Sequence, residues 1–187
     1  MLKLIKTINE QYHYWEVWNE GKTIIEHWGI VGNTGESKEM KVSLFHRTNK
    51  VMGNLADEKV KQGYVFLDED QLPEIIIQHT NEGLSMEEAF EKRHQVEELI
   101  NECLGWTGNG FVDGGEMEVE SFLTNVFCPV VDAETACKTI LEELKANHLI
   151  DGVTIAYCQP EQSEEEQDED YDNPYITLYP EGGKIEF

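Results

Sequence analysis

A chain of 187 residues has room for one large domain or two small ones, each able to bury its own core. No window approaches the roughly 18 apolar residues of a membrane span, and Met1-Leu2-Lys3 leads into Lys6 and Glu10 rather than an apolar leader core, so no membrane partner and a cytoplasmic location are expected. A formal net charge of −24 argues against a chain whose whole surface is built for phosphate backbones.

The first element is a strand over Tyr12 to Trp18, with Tyr12, Tyr14 and Trp18 on one face and His13, Trp15 and Val17 on the other. Asn19-Glu20-Gly21-Lys22 supplies turn chemistry, so Tyr12 to Trp28 reads as a hairpin. His27-Trp28-Gly29-Ile30-Val31-Gly32-Asn33-Thr34-Gly35 follows, a strand end with an aromatic anchor running into a glycine-rich turn. Several glycines in one short loop mark a place where positive φ or close backbone approach is needed. A third antiparallel strand is expected from Met40 to Phe45, and a helix from Thr48 to Gln62 with Val51, Met52, Leu55 and Val60 apolar and Gly63 as its left-handed stop.

Tyr14-Trp15-Glu16-Val17, the Trp28-Gly29 pair with its glycines, and Lys59-Val60-Lys61-Gln62-Gly63-Tyr64 together resemble the WGR domain over roughly residues 3–67. That resemblance implies a small antiparallel sheet with one helix. In WGR domains of poly(ADP-ribose) polymerases the tryptophan and arginine of the motif contact the end of a DNA strand. The matching role falls on Trp28, with Gly29 allowing close approach and Gly32, Gly35, Trp15 and Tyr64 completing the candidate binding surface. Ile30 stands where the family has its arginine, and isoleucine has neither a charge nor donors for phosphate, which weakens nucleic-acid-end binding. Lys38, Lys41, Arg47, Lys50, Lys59 and Lys61 are the cations available to replace it. Polymerase activity does not carry over, because that chemistry resides in a separate catalytic domain. WGR domains also occur in bacterial molybdate-metabolism-regulator-like proteins, which points to a regulatory adaptor.

Residues 1–68 carry nine Lys and Arg against nine Asp and Glu, whereas the remainder carries five against twenty-nine. That break, with the run Leu67-Asp68-Glu69-Asp70-Gln71-Leu72-Pro73, divides the chain into domains 1–68 and 69–187. The second opens with a short strand, Pro73 to His79. Ser85-Met86-Glu87-Glu88 is a capping box before a long helix with Met86, Phe90, Val96, Leu99, Ile100, Cys103 and Leu104 at helical spacing. A glycine-rich turn around Asp113-Gly114-Gly115 precedes one long strand through Met117, Val119, Ser121 and Leu123. Asp132 is the expected N-cap of a helix with Ala133, Ala136, Cys137, Ile140, Leu141, Leu144 and His148 on one stripe. Strands Val153 to Cys158 and Tyr175 to Tyr179 complete a split βαβ order with an added strand, a ferredoxin-like α+β sandwich. Between them, residues 161–172 hold eight carboxylates and predict a mobile loop.

Little in the chain points to catalysis: it has no Gly-x-Ser-x-Gly, no phosphate-binding Gly-Lys loop, no His-Glu-x-x-His and no dinucleotide fingerprint. The histidines are scattered. Asp113, Glu116, Glu118 and Glu120 are close in sequence, but Glu118 and Glu120 share one strand face, which reads as solvated rather than metal-binding. Cys103, Cys128, Cys137 and Cys158 lack two-residue spacing and read as structural thiols. The expectation is a non-enzymatic adaptor without cofactor, acting on a macromolecular partner, protein rather than nucleic acid. The alternative is an acidic inhibitor or immunity-like protein that presents carboxylates to a basic protein.

Overall fold

The computed structural model describes residues 1–43, 47–118, 121–160 and 175–186. It is a mixed α+β chain with two antiparallel five-stranded sheets and, among the described residues, three α-helices. Contacts divide it into two units: Met1–Asp68 with Trp106–Gly108, and Glu69–Gly105 with Asn109–Phe187.

In the first unit, β1 Leu2–Ile8, β2 Gln11–Glu20, β3 Thr23–Ile30, β4 Glu36–Lys41 and β5 Val65–Phe66 form a sheet in the order β4-β3-β2-β1-β5. Strand alternation sorts its side chains. Leu4, Trp15, Val17 and Ile24 cluster with Met52 and Ala56 of α1, Thr48–Lys61, on one face. Lys3, Tyr14, Glu16 and His27 occupy the other, at the paired positions Lys3↔Glu16 and Glu16↔His27. Helix α1 stops where Gly63 takes φ 90°, a left-handed turn that costs glycine little.

The first strand is absent from the sequence expectations for a physical reason. Leu4 and Ile5 are both buried, at 0% and 7% exposure, because both faces of the sheet are covered there, so the alternation that announces a strand is lost. The strand expected at Met40 to Phe45 is instead Glu36–Lys41, in register with β3 as far as Trp28↔Glu36, while residues 44–46 lie outside the described ones. Its charges suit an exposed sheet edge better than a core strand. On α1 the expected Val60 is 42% exposed, and Ala56 takes its place in the core.

The second unit has the sheet order β10-β9-β6-β8-β7. Its strands are β6 Glu74–Thr80, β7 Gly114–Glu118, β8 Leu123–Pro129, β9 Val153–Cys158 and β10 Ile176–Tyr179. Helices α2, Met86–Trp106, and α3, Ala133–Ala146, put Val96, Ile100, Leu104, Ala136, Ile140 and Leu144 into one cluster with Ile75, Ile77, Val126, Cys128 and Ile155. Both caps expected from sequence are present. Ser85 N and Oγ donate to Glu88 Oε2 at 2.8 and 2.7 Å, and Thr135 N donates to Asp132 Oδ1 at 2.7 Å.

Three expectations in this unit are corrected. The long strand through 117–123 is two strands of a hairpin, since Glu118 pairs with Leu123 and Phe122 has φ 55°. No Gly or Asn marks that reversal, which is why apolar alternation read straight through it. Met86 and Phe90 lie on the exposed side of α2, at 50% and 49%. His148 falls beyond α3 with φ 59° rather than on its stripe. The acidic segment 161–172 lies outside the described residues.

Candidate functional site

The residues singled out by the Trp-Gly motif all belong to the first unit, and most serve its packing. Trp15 and Trp28 sit opposite each other on β2 and β3. Trp15 is fully buried, its Nε1 donates to Glu26 Oε2 at 3.2 Å, and Lys59 Nζ lies 5.6 Å from its ring. Trp28 is half-buried against the same core cluster. Tyr64, also half-buried, lies 5.7 Å from both Lys6 Nζ and Lys59 Nζ, and burial pushes its hydroxyl pKa up. Ile30 ends β3 opposite His13, and its carbonyl accepts from Asn33 N at 3.0 Å.

The glycines fit a buried aromatic. A Cβ on Gly29 would stand 3.0 Å from Tyr14 Cε1 and Oη, and one on Gly35 would overlap Tyr14 Oη and the Trp28 carbonyl. Gly32 is the one glycine of the loop that needs a left-handed backbone, at φ 89°. Its N donates to the Thr107 carbonyl at 2.9 Å within this unit. The loop is therefore shaped around Tyr14.

Tyr14 opens a buried polar chain that sequence reasoning missed. Its hydroxyl lies 3.0 Å from His27 Nε2, His27 Nδ1 lies 2.7 Å from Glu16 Oε1, and Glu16 Oε2 lies 3.4 Å from Lys3 Nζ. A carboxylate only accepts, so His27 Nδ1–H donates to Glu16, while the Tyr14 hydroxyl lies within reach of both His27 Nε2 and the Trp106 carbonyl, the latter at 3.4 Å. Burial first, and the Glu16 charge second, raise the Tyr14 pKa far above that of an ordinary phenol. The indoles of Trp18 and Trp106 meet the imidazole edge-on at 6.3 and 5.3 Å. Tyr14, Glu16 and Trp18 at period two were legible as one strand face, and a carboxylate between two aromatics on it was the available signal.

A different part of this unit is open to solvent. Lys22, Arg47, Thr48, Asn49 and Lys50 line a cavity of about 660 Å³ at the start of α1. Arg47, the N-cap residue, has extended backbone, no side chain caps the helix, and its first turn contains no acidic residue. Among the described residues neither a side-chain cap nor a first-turn carboxylate offsets the partial positive charge of this helix start, and Lys22, Arg47 and Lys50 lie beside it. Lys22 reaches this place because Gly21, at φ 60°, turns β2 into β3 and the Lys22 carbonyl holds Val42 N at 2.8 Å. Of the cations expected to replace the motif arginine, Arg47 and Lys50 converge here.

In the second unit the carboxylates named from sequence are dispersed. Glu116 Oε1 accepts from Asn125 Nδ2 at 3.0 Å, Glu118 Oε2 accepts from Ser121 Oγ at 2.6 Å, Asp113 is exposed and Glu120 lies outside the described residues. Among the described residues no three His, Cys, Asp or Glu side chains are placed to share a metal ion. The four cysteines, on α2, β8, α3 and β9, form no disulfide, and burial raises the pKa of each.

The two units thus define a mixed α+β protein with antiparallel sheets and a cationic cavity in its first unit. Compared with protein-family models, curated proteins and solved structures, the chain finds no match.

Proposed function

We propose that the chain is a non-enzymatic adaptor whose first unit, a WGR-like domain, binds an acidic segment of a partner protein in the cavity formed by Lys22, Arg47 and Lys50. The observation that carries this reading is the convergence of those three cations on an uncapped helix start. Each desolvated charge contact supports both affinity and rapid encounter, the latter strongly salt-dependent. A protein rather than a nucleic acid is favoured because the cationic site is local, while residues 69–187 carry five basic against twenty-nine acidic side chains that oppose a polyanion. The buried state of Trp15 and the packing of Trp28 also move the contact surface away from the motif tryptophans. For the second unit we read the order β10-β9-β6-β8-β7, with one helix after β6 and one after β8, as a ferredoxin-like sandwich bearing β10 as an added edge strand.

The test is fluorescence anisotropy of a labelled glutamate-rich peptide, and separately of labelled blunt and nicked duplex DNA, titrated with the full chain over a range of salt concentrations. Saturable, salt-sensitive peptide binding that an Arg47→Glu, Lys50→Glu double variant weakens at least about tenfold is expected for two lost charge contacts. DNA binding that survives the double variant but disappears in Trp28→Ala would overturn the assignment in favour of the motif surface. Absence of both kinds of binding at low salt would also overturn it.

A further inference from the structure

The second sheet carries its helices on one face, where Ile75, Ile77, Val126 and Ile155 join the core cluster. By alternation Ile76, Gln78, Asn125, Phe127 and Ala156 belong to the opposite face. A polar row crosses that face: Thr154, Gln78, Asn125 and Glu116 are register partners on β9, β6, β8 and β7. Gln78 and Asn125 are each only 3% exposed. Buried amides on a sheet face are costly unless every donor and acceptor has a partner.

The partners are specific. Gln78 Nε2 donates to Asn125 Oδ1 at 2.9 Å, and Asn125 Nδ2 donates to Glu116 Oε1 at 3.0 Å, so the orientation of the Gln78 amide is fixed from below. Its outer edge is spent on backbone. Gln78 Nε2 donates to the Glu186 carbonyl at 2.6 Å, and Gln78 Oε1 accepts from Glu186 N at 3.0 Å. A side-chain amide has here adopted the donor and acceptor pattern of a neighbouring strand and holds both backbone groups of one residue, Glu186.

A second anchor lies two strands away. Thr177 Oγ1, on β10, donates to the Gly183 carbonyl at 3.0 Å. Two strand spacings amount to about 9.6 Å, and three extended residues reach about 10 Å. The segment from Gly183 to Glu186 is thus anchored at one end on Thr177 of β10 and at the other on Gln78 of β6, two residues along β6 from Ile76, the register partner of Ala156. Ala156 and Ile76 on the same sheet face are fully buried, and Ile185 is half-buried.

We propose that this helix-free face is a binding site for an extended, basic peptide of a partner protein, and that residues 183–186 occupy it as a built-in competitor. Both hydrogen bonds of the clamp go to backbone atoms of Glu186, which every non-proline residue offers, so another extended segment can satisfy them. The preference for a basic segment follows from the five-to-twenty-nine charge balance of residues 69–187. A tethered competitor acts at an effective concentration of about millimolar, so a partner must bind well or arrive where the resident segment is released. This site lies in the second unit and is independent of the cavity at the start of α1.

The experiment uses the full chain and a fluorescein-labelled peptide with the sequence of residues 181–186. Glu186→Pro removes the N–H that Gln78 holds and should release the resident segment while leaving the sheet intact. The labelled peptide is expected to bind Glu186→Pro at least about tenfold more tightly than the unaltered chain, given the millimolar competitor it no longer meets. A peptide with lysine in place of both glutamates should bind more tightly still, with greater salt sensitivity. Adding Gln78→Ala to Glu186→Pro should abolish binding. Gln78→Glu, which keeps one acceptor and loses both donors, should do the same and guards against an alanine variant that misfolds, with far-UV ellipticity as the check on both. Equal peptide binding with and without Glu186→Pro, or binding indifferent to Gln78, overturns the proposal. A concentration-dependent dimer of the unaltered chain that Gln78→Glu dissolves would also overturn it, by giving the face to a second copy.

Discussion

Substituting Gly35 by alanine is expected to destabilise the first unit severely, although it adds a single methyl group. The new Cβ would overlap Tyr14 Oη and the Trp28 carbonyl and stand 2.8 Å from His27 Nε2. None of these can yield easily. The Trp28 carbonyl belongs to β3, Tyr14 is 0% exposed, and its hydroxyl is held by His27 at 3.0 Å. Overpacking of this kind costs about 1–3 kcal/mol. Displacing the Tyr14 hydroxyl from a buried partner adds about 1–3 kcal/mol more, so a loss of about 2–6 kcal/mol is expected. For a unit of this size each kcal/mol shifts Tm by about 4–8 °C, which sets a drop of at least about 8 °C. All four tryptophans, Trp15, Trp18, Trp28 and Trp106, lie in the first unit, so thermal unfolding followed by indole fluorescence reports on it selectively. Gly53→Ala is the matched control: nothing lies within 4 Å of its Cβ position inside α1. It should stabilise by about 0.5–1 kcal/mol through helix propensity. A Gly35→Ala midpoint within about 2 °C of the unaltered chain would refute the argument that the glycine loop is shaped by Tyr14.

The remaining predictions concern the second unit. His79 is 1% exposed, its Nε2–H donates to the Leu149 carbonyl at 3.2 Å, and burial first, then the Lys92 charge, lower its pKa from 6.5 to about 4. The folded chain then resists the proton that the unfolded chain takes up below about 6.5, so stability is unaffected by this group above that pH and falls as the pH drops toward about 4. The full effect is about 3 kcal/mol, measured as the difference in urea stability between the unaltered chain and His79→Gln followed by far-UV ellipticity; parallel pH profiles for the two would refute it. Cys128, at 0% exposure, should resist iodoacetamide in the folded chain and react only on unfolding, with mass spectrometry of the labelled peptides as readout. Its labelling at the same rate as half-buried Cys158 would contradict the burial argument.

The sequence was most legible where local chemistry decides the structure. Asp132 and the Ser85–Glu88 pair announce helix starts because their side chains bond backbone groups three residues away. Gly63 announces a helix end because it alone tolerates φ 90° without strain. Legibility failed where tertiary covering changes what alternation means. β1 has neighbouring residues Leu4 and Ile5 buried on opposite faces, and the β7–β8 hairpin reverses without a turn residue that would reveal it. Met86 and Phe90 kept helical spacing yet face outward, since spacing identifies a stripe but not the first turn at which its covering begins.

The site was legible in a similar, partial way. A loop of closely spaced glycines signals that something large approaches the backbone, and sequence does not say whether that object is a ligand or another side chain of the same chain. Here it is the Tyr14 ring, held by His27; Glu16 orients that imidazole, and Lys3 pairs with the Glu16 carboxylate. Each member of that chain comes from a different point of β1, β2 or β3, and only their register brings them together. Once the glycines are accounted for by packing, they no longer argue for a contact surface at the motif. Among the described residues, two features lie outside that packing: the start of α1, which has no side-chain cap, and the edge of Gln78 that holds the Glu186 backbone. Polar groups at both places can exchange their present partners for those of a bound segment, so each gives association a term that the packed motif does not.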